Sequence, residues 1–224
     1  MNIHIFTMNI RYDMSKSNPL CEIMERNRSE KGGIDHTRCW HNYTLVYYGM
    51  FKDWINRPLR IFELGLGTNN TEIPSNMGVN GRPGASLFGW REFFPNAYIF
   101  GADIDEDILF NSKRIRTFYC DQTKPEVIQK MWENPKLEEG FDIIVEDGLH
   151  NYEANVCFFE NSIHKLKEGG YYIIESVNQE TAKKFDKLLI EWKQKYPDLR
   201  FRVMRIPSYV NSGDNTLVIA HRPM

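Results

Sequence analysis

From about Arg60 onward the chain repeats one pattern: a short apolar run, an acidic residue at or beside its end, then a longer amphipathic stretch. Leu59–Leu64 (LRIFEL) reads as a buried strand running into Gly65-Leu66-Gly67. Ala97–Ala102 is a second strand, closed by Asp103, and Ile115–Cys120 a third, closed by Asp121. Phe141–Val145 is a fourth, closed by Glu146-Asp147-Gly148, and Tyr171–Ile174 a fifth, closed by Glu175. Between them lie helical periodicities. Pro83 opens a helix over Ala85–Phe94, with Leu87, Trp90 and Phe94 on one stripe. A second helix is expected over Glu153–Lys167, stopped by Gly169-Gly170, and a third over Ala182–Tyr196, burying Phe185, Leu188, Leu189 and Trp192. Strands alternating with helices require a parallel sheet covered on both faces. The tail departs from the pattern: Leu199–Ile206 and Thr216–His221 have no helix between them, only the turn Asn211-Ser212-Gly213-Asp214, and read as an antiparallel hairpin at one edge.

Residues 1–55 fit no such alternation and read as a helical N-terminal cap over the sheet or its ligand, leaving 56–224 as the sheet domain. With 224 residues, 42% of them hydrophobic, the chain is long enough to close a full core without staples. A net charge of −2 supplies no basic field for a nucleic-acid backbone or an anionic membrane, so neither is expected as a partner. Cys21, Cys39, Cys120 and Cys157 form no C-x-x-C pair, and the start MNIHIFTMNIRYD has no leader character; the expected location is the cytoplasm, with reduced thiols. Aromatic residues are 13% of the chain, a surplus that hints at a pocket stacking on flat or sugar-like ligands.

In an open parallel sheet, ligands bind beyond the carboxyl ends of the strands. Glu63, Asp103, Asp121, Asp147 and Glu175 are all expected on that one rim. The glycines of E-L-G-L-G (Glu63–Gly67) let the backbone approach a ligand closely. The dinucleotide form G-x-G-x-x-G fails, because Asn70 holds its third position; a nucleoside-type ligand remains open. Asp103 is placed to accept hydrogen bonds from ribose hydroxyls, and Asp121-Gln122 to meet an adenine edge or simply to close a turn. The Asn- and Gly-rich stretch Thr68–Arg82 reads as a long loop and a candidate lid. His36, His41, Tyr43 and Tyr47, near Trp40, are candidates for an acceptor pocket or for core packing. Lys183-Lys184 reads as a solvated helix face.

E-L-G-L-G, G-A-D at Gly101–Asp103, C-D-Q-T at Cys120–Thr123 and the final strand pair resemble a class I S-adenosylmethionine-dependent methyltransferase. More narrowly, F-D-I-I-V-E-D-G-L-H (Phe141–His150) is similar to the D-D-G-S-H segment of metal-dependent sugar O-methyltransferases of the macrocin and mycinamicin type. G-A-S-L-F-G-W-R-E-F-F-P (Gly84–Pro95) and E-K-G…H-N-Y-T…Y (Glu30–Tyr47) are similar to the mycinamicin branch, so the resemblance runs over roughly residues 30–220. It implies a Rossmann-like class I methyltransferase fold, a doubly wound, mostly parallel sheet with an antiparallel C-terminal hairpin edge. It also implies S-adenosyl-L-methionine as cofactor, S-adenosyl-L-homocysteine as product, Mg²⁺, a glycan or small-molecule sugar acceptor, and a homo-oligomer. Residue by residue, the implied cofactor contacts are Glu63, Gly65, Gly67, Thr68, Asp103, Asp121, Gln122 and Asp147. Asp147 and Glu175 are the implied metal ligands, and His150 with Asp147 the implied general-base pair. Two positions depart from the family's pattern: Glu146 stands for the first Asp of D-D, and Ser176 follows Glu175 where a second acid is expected. A sugar hydroxyl is a poor nucleophile, which explains the use of such groups: a hard cation polarises it and an imidazole accepts its proton. The alternatives are an NAD(P)-dependent oxidoreductase, disfavoured by Asn70 and the terminal hairpin, and a non-catalytic S-adenosylmethionine-binding protein, raised by Ser176 and Glu146.

Overall fold

A computed structural model of the chain describes residues 9–35 and 37–224. Its strands are β1 (Arg60–Leu64), β2 (Tyr98–Asp103), β3 (Asn111–Ser112), β4 (Ile115–Tyr119), β5 (Phe141–Glu146), β6 (Leu166–Val177), β7 (Arg200–Arg205) and β8 (Thr216–His221). Its α-helices are α1 (Pro19–Arg26), α2 (Tyr43–Phe51), α3 (Ala85–Phe93), α4 (Pro125–Trp132), α5 (Tyr152–Ser162) and α6 (Gln179–Lys195). The strands form one sheet in the order β3-β4-β2-β1-β5-β6-β8-β7. β4, β2, β1, β5 and β6 run parallel; β8 is antiparallel to β6, and β7 to β8. The doubly wound sheet with an antiparallel edge is therefore what the pattern of apolar runs anticipated.

The period of two along each strand divides the core into two layers. Ile61, Ile99, Ile143, Ile173 and Ile219 pack on one face with Leu20, Tyr43, Tyr47 and Trp90, from α1, α2 and α3. Phe62, Phe100, Ile144, Tyr172 and Val218 point to the other face, against Ile128, Phe158 and Phe185 of α4, α5 and α6. The aromatic surplus goes largely into these layers: Trp90, Trp192, Tyr43, Tyr47, Tyr172 and Phe51 are fully buried. Phe159 stacks on Trp192 with ring centroids 3.9 Å apart.

Two elements differ from the sequence reading. The helix expected to run to Lys167 ends at Ser162, followed by a 3₁₀ turn, and β6 already begins at Leu166. Gly169-Gly170 is thus an irregularity within a strand. As β5 advances from Phe141 to Ile143, β6 advances from Leu166 to Tyr171, and Gly169 has φ +75°. The Gly169 N–H donates to Arg222 O at 2.6 Å, tying the bulge to the chain beyond β8. The second element, α4, was not anticipated, although Pro125 in its first turn and the buried Ile128, Met131 and Trp132 carry the signal. No helix among the described residues is long and apolar enough to cross a membrane.

Candidate active site

A cleft of about 300 Å³ opens at the carboxyl ends of β1, β2, β4 and β5, within the size range of small-molecule sites. Its floor is the turn Gly65-Leu66-Gly67. Gly65 (φ +88°) lies so close to the β5 end that a Cβ there would sit 2.0 Å from Asp147 O. The Leu66 N–H donates to Asp103 Oδ2 at 2.6 Å, and the Asp105 N–H to Asp103 Oδ1 at 3.0 Å. Asp103 thus braces the glycine turn while lining the cleft; burial raises its carboxyl above the ordinary aspartate range, despite those two N–H donors. Thr68 also lines the cleft, its hydroxyl bonded to Asp105.

Asp121 and Gln122 follow β4 and line the same cleft. Asp121 accepts from Thr123 Oγ1 at 2.6 Å and pairs with Lys124 at 2.9 Å; these partners outweigh burial and lower its pKa. Both ends of the Gln122 amide are engaged: Oε1 accepts from the Leu149 N–H at 2.7 Å, and Nε2 donates to Glu146 Oε1 at 3.1 Å. The other Glu146 oxygen accepts from Asn155 Nδ2 at 2.6 Å. Burial pushes the Glu146 carboxyl up to about 7, against the pull of those two amides.

At the far side of the cleft, Asp147 and His150 meet. His150 Nε2 lies 3.0 Å from Asp147 Oδ1, and the Ser176 hydroxyl donates to the same oxygen at 2.9 Å. His150 has φ +57° and immediately precedes Asn151, whose side chain caps α5. The strained turn aims the ring back at Asp147. Asp147 Oδ2 accepts from Lys31 Nζ at 2.8 Å. That ammonium also bonds to Glu175 Oε2 and lies 3.4 Å from Glu63 Oε1. Burial alone would depress Lys31, but Asp147, Glu175 and Glu63 hold it well above the ordinary lysine value. Asp147 in turn is held well below the ordinary range, Lys31 and His150 overcoming its burial. Glu175 is pushed well above its own, by burial and by its acidic neighbours. The remaining oxygens are occupied: Tyr47 OH donates to Glu175 Oε1, the Ser86 hydroxyl to Glu63 Oε1, and Trp90 Nε1 to Glu63 Oε2 at 2.6 Å.

These residues, as they stand, do not fit a divalent cation. The seat between Asp147 and Glu175 is filled by Lys31 Nζ, and among the described residues no group of three His, Cys, Asp or Glu is arranged to hold a metal. They do fit a nucleoside-type ligand: the Gly65–Gly67 turn lines the cleft together with the buried Asp103 carboxylate to which it is bonded.

Of the candidates for an acceptor pocket, His41 lines the cleft beside Trp40, which is 52% exposed. Tyr43 stacks under His41 at 4.5 Å between centroids, its hydroxyl donating to Asp214 O at 3.1 Å and accepting from the Ser176 N–H. Tyr47 is buried against Glu175, and His36 lies outside the described residues. The loop expected over Thr68–Arg82 is held down by reciprocal bonds to the cap. Arg82 donates to Asn27 O at 3.0 Å and Arg28 to Asn80 O at 2.7 Å, while Ile73–Met77 line the cleft. Sequence reasoning missed Lys31, Ser86 and Trp90 as members of the site. Two signals were available for Lys31, its place in the E-K-G segment and the Gly32-Gly33 pair after it: a Cβ on Gly32 would lie 2.1 Å from Thr44 Oγ1, so only glycine lets the turn press against α2.

No family model matches the chain. It is 28% identical over 169 residues to an 8-demethyl-8-(2-methoxy-α-L-rhamnosyl)-tetracenomycin-C 3′-O-methyltransferase of Streptomyces olivaceus, covering 75% of this chain and 39% of that protein. It is 31% identical over 159 residues to an L-olivosyl-oleandolide 3-O-methyltransferase of Streptomyces antibioticus, covering 70% of this chain and 36% of that protein. The chain therefore spans less than two fifths of the length of these relatives. Among solved structures, the MycE methyltransferase of the mycinamycin pathway, in complex with Mg and SAH, superimposes with a TM-score of 0.68 at 24% identity. The match covers 93% of this chain and 56% of that one. The fold is that of a class I methyltransferase, and the relatives in sequence are sugar O-methyltransferases.

Proposed function

We propose that this chain is an S-adenosylmethionine-dependent methyltransferase that methylates a sugar hydroxyl on a small-molecule or glycan acceptor. The observation that carries the reading is the Asp147–His150 pair, 3.0 Å apart, in one cleft with the Gly65–Gly67 turn and Asp103. When bound, S-adenosylmethionine supplies an electrophilic methyl group and a neutral thioether leaving group. Gly65, Leu66, Gly67, Thr68 and Asp103 form the cofactor side, where a buried carboxylate lining the cleft suits a ribose. Asp121 and Gln122 wall the neighbouring part of the cleft.

Asp147 is the ionised member of the dyad, so its oxygen accepts and His150 Nε2 carries the proton between them. That tautomer leaves Nδ1 with the lone pair. The acceptor hydroxyl gives its proton to Nδ1 as it attacks, and Asp147 stabilises the imidazolium that forms, as in other histidine–carboxylate bases. Trp40 and His41 offer flat surfaces for the acceptor on the cap side. The four free cysteines fit a reducing, cytoplasmic setting.

Calorimetric titration of S-adenosylhomocysteine tests the cofactor class; micromolar binding is expected. Mass spectrometry then scores methyl transfer to acceptors bearing deoxysugars. Binding of NAD(H) with none of S-adenosylhomocysteine overturns the reading.

A further inference from the structure

The cation at the centre of this site is part of the chain. Lys31 is 4% exposed, and its three ammonium protons face three carboxylates: Asp147 at 2.8 Å, Glu63 at 3.4 Å, and Glu175 in direct contact. Mg²⁺ needs oxygen ligands at about 2.0–2.1 Å in near-octahedral array, with carboxylates free to turn toward it. Here Asp147 Oδ1 is taken by His150 and Ser176, Glu175 Oε1 by Tyr47, and the oxygens that remain converge on Nζ. The position after Glu175, where a further acid would complete a metal site, holds the neutral Ser176, whose hydroxyl is already spent on Asp147. The neutral Ser176 and the buried ammonium act in the same direction: both lower the site's demand for an outside cation.

We propose that the Lys31 ammonium is the resident cation of this site, filling the seat between Asp147 and Glu175 and fixing Asp147 toward His150 without a divalent metal. With its protons committed to carboxylates, Lys31 does not reach the reacting atoms; it is a positioning residue acting through Asp147. The turn that carries it is built for the purpose. Lys31 O accepts from the Thr44 N–H at 3.1 Å, and Gly32 (φ +149°) presses that backbone onto α2, so the side chain runs inward under the cleft.

The inference rests on the methyltransferase reading for its meaning but not for its test, which uses Mn²⁺ as the probe. Electron paramagnetic resonance of free Mn²⁺ is followed as the folded protein is added, with and without S-adenosylhomocysteine. The expected result is no loss of the free-ion signal. A loss that Asp147→Asn abolishes overturns the proposal. The variant Lys31→Ala with Ser176→Asp, checked for folding by circular dichroism, is expected to gain Mn²⁺ affinity by about tenfold or more. A folded double variant with no gain also overturns it, and should that variant fail to fold, the titration of the unaltered protein decides alone. Failure of S-adenosylhomocysteine to bind removes the functional reading instead and leaves the Mn²⁺ result standing.

Discussion

Glu146 and Asp147 are neighbours at the end of β5, yet they turn to opposite sides of the sheet and meet opposite chemistry. Glu146 is fully buried and served by two neutral amides, Gln122 and Asn155. Asp147 is served by an ammonium, a hydroxyl and an imidazole. The first is pushed up to about 7; the second is held well below the ordinary aspartate range. Hydrogen bonds are present in both places, so donors alone do not explain the difference. At Glu146 the two neutral amides fall short of offsetting the loss of solvation, whereas at Asp147 the charges of Lys31 and His150 more than offset it. The Asp147 side is accordingly the one on which His150, the proposed base, meets an ionised carboxylate.

The largest effect that would break this contrast lies in turnover. Asp147→Asn and His150→Gln are each expected to slow methyl transfer by about 10²–10⁴-fold, the usual worth of general-base assistance. S-adenosylhomocysteine affinity, read by calorimetry, should change far less. If either variant turns over normally, the dyad is not the base.

Next comes Lys31→Met, which leaves Asp147, Glu175 and Glu63 without their cation. Removing one partner of a buried ion pair costs about 3–5 kcal/mol, visible as a lowered midpoint in urea unfolding. A variant as stable as the parent would show that the ammonium compensates nothing.

The two carboxylates should also give pH dependences of opposite sign. Glu146 binds its proton more tightly folded than unfolded, so its contribution is complete below the ordinary pKa of 4.5 and is lost as pH rises through about 7. That shift corresponds to about 3 kcal/mol of stability lost across the interval. Asp147 is depressed when folded, so its contribution is present above the ordinary value of 3.8 and disappears as the pH falls below it. Glu146→Gln should flatten the neutral-range slope of unfolding free energy and leave the acid limb intact; an unchanged neutral slope rejects the assignment to Glu146. The smallest expected effect is that of Gln122→Ala, which strands the Leu149 N–H and removes one donor from Glu146, at about 1–3 kcal/mol. Thermal unfolding and a further rise of the Glu146 titration are its readouts.

What was legible in the sequence was local. Each apolar run and the acid at its end form a strand and its exit, which needs only the period of two and the punctuation beside it. The acidic rim followed from that, because parallel strands put all their exits at one end. The Gly169-Gly170 pair was legible as a break but not as which kind: a glycine pair stops a helix or makes a bulge, and here the pairing of Phe141 with Leu166 decides. Lys31 was the least legible. It sits 116 positions from Asp147 and 144 from Glu175, and a lone lysine on a glycine-flanked turn has solvent as its ordinary fate. Ser176 was visible as a departure from the family pattern, but the compensating cation was in another part of the chain. Trp90 was likewise assigned to the core, where it lies, without a sign that its N–H serves Glu63.

The turn bearing Lys31 also bears on modular engineering. Because the neutralising charge for acids at the ends of β1, β5 and β6 arrives from the segment before β1, that segment is not an interchangeable accessory. A chimera that exchanges this segment must deliver a cation to the same point, or replace the acids that Lys31 meets together with it.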